Sequence, residues 1–343
     1  MKKLISIIMT LTVILISATG CREKKEAIVR DSDGRLNITT TIFAPYDFVR
    51  QIAGDRVNLT MLLPPGSESH SFEPSPMDIV NIQNTGLFIY VGSESEGWVE
   101  RLLKSMRTDN MTILSLTDIV DTLDKEIVEG MEDHDDDHDR EHKGFFARIG
   151  AFFEHLFDKD DHDDHDETAF DEHVWTSPKN AIAIVRAITD QLCELDADNA
   201  GYYRQNAAAY IEPLQELDAA LEETIAGARR RTIIFGDRFP FRYLAHDYGL
   251  QYFAAFPGCS TETEPSTVTV AFLIGKIRAE QIPVVFHIEL SNERMADTIS
   301  RETGAKKLLL HSAHNITRRD FEADLTYLDL MRSNIENLRE ALY

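Results

Sequence analysis

Histidine and acid recur in this chain where apolar runs give way to loops. LLPPGSESHSFEPSP (62–76) carries His70, and DEHVWTSP (171–178) carries His173 ahead of an aromatic residue and a Ser-Pro step. FGDRFPF (235–241) carries Asp237 and Arg238, and LLLHSAHNIT (308–317) carries His311 and His314. Imidazole and carboxylate are the side chains that hold divalent metals. One histidine of this kind says little, because most are surface or satisfied core residues. Two in a first lobe and two in a second, all at strand exits, point to an ion gripped between the lobes. In open α/β sheets that edge is where ligands bind. Pro64, Pro65 and Gly66 stiffen and turn the first loop, so a rigid backbone presents His70.

A denser concentration lies between these stretches. EDHDDDHDREHK (132–143) and DDHDDHDE (160–167) flank an apolar island, GFFARIGAFFEHLF (144–157). Six of the twelve histidines, His134, His138, His142, His155, His162 and His165, fall here. Their spacing is loose and their neighbours are carboxylates. Such a segment can collect zinc weakly at several places but cannot impose one closed geometry. The expectation is a metal-capturing or sensing lid beside the site; a solvated acidic run without a role is the plainer alternative.

The elements that must position these residues follow an α/β alternation. ITTTIFA (38–44), VNLTMLL (57–63), LFIYVG (87–92) and MTILSL (111–116) read as strands, with helices between them. Ser75, Pro76 and Asp78 make a helix start. After the insertion, a helix is predicted over 178–195. Tyr203, Ala207, Tyr210, Leu214, Leu217, Leu221 and Ile225 then form one stripe of a long helix that Pro213 should kink. Strands over 231–236, 250–256, 283–290 and 306–310 alternate with helices over 240–249, 264–281, 291–304 (capped by Ser291) and 321–342. The predicted fold is α/β: two Rossmann-like lobes with parallel sheets, joined by one rigid helix, with a cleft between them. The lobes are 37–198, carrying the insertion at 130–168, and 230–343, with the linking helix at 199–229. His246 and His287 read as structural, Trp98 and Trp175 as packing, with Trp175 bracing His173.

The first residues are of another kind. Lys2 and Lys3, an apolar run from Leu4 to Ile16 and the small residues Ser17 to Gly20 form an export signal (1–20) ending at Cys21. The arrangement resembles a bacterial lipobox, in which Cys21 would carry lipid and 21–36 would tether the fold to the outer face of the cell membrane. Cys193 and Cys259 are then expected as free thiols. The net charge is −24, of which Glu132–Glu167 contributes −11 through fifteen acids and four bases. An acidic chain with no basic stripe is not a nucleic-acid binder.

With these motifs in view, the chain resembles the zinc- and manganese-binding lipoproteins that feed ABC importers. LLPPGSESHSFEPSP, the acidic insertion, DEHVWTSP, the long helix and VVFHIELSNERMADTISRETGAKKLLL with a final helix carry the likeness, from about residue 37 to the C-terminus. The resemblance implies one divalent metal, held by His70 and His173 from the first lobe. The family's second-lobe His or Glu, three residues before Phe241, falls on Arg238, which cannot ligate; Asp237 is adjacent. Its last ligand falls on His311. The implied set is His70, His173 and His311, completed by Asp237, a water or Glu289, with His314 and Arg238 at the margin. Nitrogen-rich ligation favours zinc over manganese. The implied role is metal capture by a monomer for a membrane permease. A zinc hydrolase is disfavoured because no H-E-x-x-H and no partnered nucleophile occur, and a lipid-anchored adhesin remains the other alternative.

Overall fold

The computed structural model describes residues 28–68, 72–131, 170–258 and 266–343. Cys21, His70, Cys259 and the six histidines of the insertion lie outside them. Each lobe is built on four parallel strands. In the first, β1 (Leu36–Thr40), β2 (Val57–Met61), β3 (Leu87–Tyr90) and β4 (Thr112–Ser115) lie in the order β2-β1-β3-β4. In the second, β5 (Thr232–Phe239), β6 (Gln251–Pro257), β7 (Val284–His287) and β8 (Lys306–Leu309) lie in the order β6-β5-β7-β8. The two orders are one winding used twice. Each places a topological switch beside its central strand, where neighbouring loops part and leave a crevice.

The helices are α1 (Phe43–Ala53), α2 (Pro76–Gln83), α3 (Gly97–Ser105), α4 (Pro178–Leu195), α5 (Ala200–Ala226), α6 (Arg242–Tyr248), α7 (Thr267–Glu280), α8 (Arg294–Thr303), α9 (Arg318–Glu322) and α10 (Tyr327–Leu342). Local chemistry sets their ends. Ser75 accepts the Asp78 N–H while Asp78 accepts the Ser75 N–H, a reciprocal cap with Pro76 at the first turn. α5 spans 27 residues, about 40 Å. All seven residues of its predicted stripe are buried, and the helix runs through Pro213 as one element.

The stripe packs into a single core drawing on both lobes: Phe48 and Ile188 from the first, Phe235 and Phe286 from the second, Tyr327 and Leu338 from α10. Smaller clusters cover only the outer faces, around Phe88 in the first lobe and Leu273 in the second. Polar staples reinforce the seam. Asp47, fully buried on α1, accepts from Arg50 (2.7 Å) and from the Tyr327 N–H that opens α10 (2.7 Å). No helix among the described residues is long and apolar enough to cross a membrane.

The strand expected over 38–44 ends at Thr40, with Phe43 opening α1, and the strand expected over 283–290 is Val284–His287; three further differences bear on the site and the last helix. β5 runs to Phe239 with a register shift between Phe235 and Arg238, so Asp237 and Arg238 lie within the strand rather than beyond it. α8 starts at Arg294 behind Glu293, whose φ is 53°; Ser291 donates instead to the Ile288 carbonyl (3.2 Å). The helix expected over 321–342 is two. Asp324 turns left-handed (φ 56°) after α9, and Thr326 with Asp329 forms a fresh reciprocal cap for α10. Cys193 is a buried free thiol, and His246 is exposed on α6 beside Asp247.

Candidate metal centre

His173 sits at the head of a short 3-10 turn, Val174–Thr176, that leads into α4. It is 1% exposed. The Asp171 carboxylate accepts both its main-chain N–H (2.9 Å) and its ring Nδ1–H (3.1 Å). Holding Nδ1 as the protonated nitrogen leaves the Nε2 lone pair outward, the arrangement in which a histidine ligates. Asp171 is itself anchored, its carbonyl accepting from Tyr243 (2.7 Å) and its N–H donating to Leu123 (2.8 Å). Beneath the ring lies Trp175 (centroids 5.5 Å apart), whose Nε1 donates to the Ser312 carbonyl of the second lobe (2.8 Å). The bracing role expected of Trp175 is present. Gly258 closes the other side: a Cβ there would stand 3.0 Å from His173 Cε1 and 2.9 Å from the Phe239 carbonyl.

From the second lobe, the loop after β8 delivers His314 rather than His311. Ala313 between them adopts φ 57°, a left-handed turn that reverses the loop. His314 packs edge-on against both His173 (5.8 Å) and Trp175 (5.2 Å). His311 Nδ1 accepts the Ala313 N–H (3.0 Å), which puts the proton of the neutral ring on Nε2. Asn334 of α10 clamps its main chain from both sides. His314 is thus the histidine of this loop that packs against the His173 ring.

A cavity of about 30 Å³ opens between the lobes, lined by His173, His314, Glu289, Arg238, Glu68 and Asn315 among others. Glu289, expected as a marginal ligand, lines the cavity, and both its oxygens accept hydrogen bonds. Oε1 accepts from Ser312 Oγ (2.5 Å) and the His314 N–H (3.2 Å), and Oε2 accepts the Ser312 N–H (2.8 Å). It shapes the loop that carries His314. Asp237 lines a neighbouring cavity of about 180 Å³ that shares Glu68 and Arg238 with this one. Its carboxylate accepts the main-chain N–H groups of Arg238 (2.8 Å) and Ile288 (3.1 Å), tying β5 to the exit of β7. Arg238, 6% exposed, reaches across the seam to Glu68 (2.8 Å). The loops meet again where Asn315 donates to the carbonyls of Pro64 and Ser67, and where the Phe43 N–H donates to the His314 carbonyl.

One residue escaped the sequence reading. Glu172 is 2% exposed and its Oε1 stands 3.9 Å from His173 Nε2. The usable clue was an acid directly preceding the histidine in D-E-H. Burial pushes the Glu172 carboxyl up, but the His173 charge and serine donors hold it below the usual carboxylate range. Burial likewise disfavours a charged His173, yet Asp171, with Glu172 and Glu289 behind it, lifts that imidazole above its ordinary value. The pocket is electrostatically prepared for positive charge. Among the described residues no three His, Cys, Asp or Glu side chains already surround one ion position.

Comparison with known proteins fits this geometry. The family model for the periplasmic component A of zinc-uptake complexes matches residues 38–341. The zinc-binding lipoprotein AdcA of Streptococcus pneumoniae (strain ATCC BAA-255 / R6) is 32% identical over 340 residues, covering 99% of this chain and 61% of that protein. The chain thus spans 61% of the length of that streptococcal relative. The high-affinity zinc uptake system protein ZnuA of Bacillus subtilis (strain 168) is 30% identical over 330 residues, covering 96% of this chain and 94% of that one. The crystal structure of the Zn(II)-bound ZnuA-like domain of the pneumococcal protein superposes with a TM-score of 0.68 at 29% identity, over 90% of this chain and 99% of that one. The two α/β lobes, the histidines meeting at their seam and these likenesses agree: the chain belongs to the family of periplasmic A components of zinc-uptake complexes.

Proposed function

We propose that this chain captures one divalent metal, zinc before manganese, outside the cytoplasmic membrane and hands it to an ABC-type permease. The observation that carries the reading is the imidazole of His173, buried at the lobe seam with Nδ1 bound to Asp171 and Nε2 left for an ion. His314 lies against it from the other lobe, and the family resemblance implies His70, outside the described residues, for the same ion. Two or three nitrogens with one or two oxygens suit zinc; manganese would call for more oxygen. The zinc in the names of the pneumococcal and Bacillus relatives supports the same metal. The role is binding and delivery by a monomer, with no bond made or broken.

Cys21 is the proposed point of lipid attachment, which would keep the carrier close to its permease. The histidines of 132–167 would collect loosely held zinc and raise its concentration near the cleft. Glu289 and Asp237 would hold the loops and Arg238 would span the seam. Competition titration of the full-length protein with a zinc chelator tests the reading. One tightly held zinc per chain is expected, and it should survive deletion of residues 132–167 while additional weak binding disappears. A chain that holds no zinc tightly, or that loses its tight site with the deletion, would refute it.

A further inference from the structure

We propose that Glu172 is itself a metal ligand, its Oε1 giving a carboxylate oxygen to the ion that His173 Nε2 holds. This rests on the metal-capture reading and names a donor outside the ligand set that the family resemblance implies. The two oxygens of Glu172 are treated unequally. Oε2 accepts a short hydrogen bond from Ser95 Oγ (2.6 Å). Oε1 has no hydrogen-bond partner, although the residue is 2% exposed. A buried carboxylate oxygen without a donor is costly, so its persistence calls for a partner that arrives later. Oε1 stands 3.9 Å from His173 Nε2, too far for a hydrogen bond. Zinc at its usual bond lengths holds neighbouring donors about 3.3 Å apart. An ion placed between them therefore asks the pair to close by about 0.6 Å.

Both donor groups are braced in the same way. Asp171 fixes the far nitrogen of the ring, and Ser95 fixes the far oxygen of the carboxylate, so each presents one atom to a common point. The charge balance calls for such a group. Arg238 on the cavity wall is already paired with Glu68, so a dication at His173 Nε2 needs an anionic ligand of its own. Asp237 and Glu289 have each committed both oxygens to N–H or O–H donors. Glu172 Oε1 is the carboxylate oxygen among them that accepts no hydrogen bond.

Glu172→Gln in the full-length protein tests this, with zinc affinity read by chelator competition and the ligand shell by X-ray absorption of the zinc-loaded protein. Expected is a loss of affinity of about 100-fold, at or beyond the upper end of what outer-shell substitutions cause. The zinc spectrum should change by one oxygen donor, and the metal-free melting temperature should not fall. Glu172→Asp, which keeps the charge on a shorter arm, should recover part of the loss. Zinc binding within about threefold of the parent, or a weakened site whose spectrum is unchanged, would overturn the proposal. A parent protein that binds no zinc would instead overturn the functional reading on which it rests.

Discussion

The two rims of the cleft are built from the same strand order and end in opposite states. On the first-lobe rim, Asp171 and Ser95 hold His173 and Glu172 by one atom each, leaving Nε2 and Oε1 to face one another across 3.9 Å. On the second-lobe rim, polar groups answer each other: Asp237 ties down β5 and β7, Glu289 gathers Ser312 and His314, and His311 accepts from its own loop. What sets the first rim apart is that two of its buried polar atoms are left without a bond inside the protein. Residue type alone would rank Asp237 and His311 beside His173.

That contrast can be broken most directly at the imidazoles. His173→Ala or His314→Ala should weaken zinc by about 100-fold or more in chelator competition, since each removes a donor from a site with few. The carboxyl behind the first rim should act through stability instead. Burial pushes Glu96 up to about 7, although its carboxylate accepts the Val91 N–H (2.7 Å). The folded state then keeps a proton that the unfolded chain releases, so this group withdraws stability as pH rises from about 4.5 through 7. Glu96→Gln should abolish that part of the slope, a difference on the order of 2 kcal/mol in urea unfolding between about pH 5 and about pH 7.5.

Smaller effects belong to the second rim. Glu289→Gln puts an amide where three donors converge and should cost about tenfold in zinc affinity through the His314 loop. Asp237→Asn should lower unfolding free energy by about 1 kcal/mol, the scale of one weakened buried bond, while zinc affinity stays within about threefold. His311→Ala should likewise leave affinity within about threefold of the parent by titration. If His311→Ala abolishes binding and His314→Ala does not, the two rims have been read the wrong way round.

Much of this was legible in the sequence where local chemistry decides. Helix α4 falls on 178–195 as its Pro178 start and apolar spacing require, and the seven-residue stripe of α5 is buried as its period demands. Errors arose where backbone conformation outside the common regions sets direction. Ala313 at φ 57° turns the loop between His311 and His314, and Asp324 at φ 56° splits the last helix; neither residue type announces a left-handed turn. The extension of β5 was hidden because Asp237 and Arg238 look like loop residues, yet the first is satisfied by main-chain donors and the second by Glu68. Glu172 has a clue in the D-E-H pattern, but that its Oε1 is left without a hydrogen bond is a matter of side-chain placement, which the pattern does not encode.

The core running unbroken beneath both lobes has a consequence for how the molecule can be cut and how it comes apart. A fragment ending near residue 228 would strip the partners from one side of the α5 stripe and leave Asp47 facing no α10. Such a half should aggregate rather than stand alone, and the whole should melt in one cooperative step. The resemblance of the two sheets is thus a likeness of pattern between parts that have no independent existence.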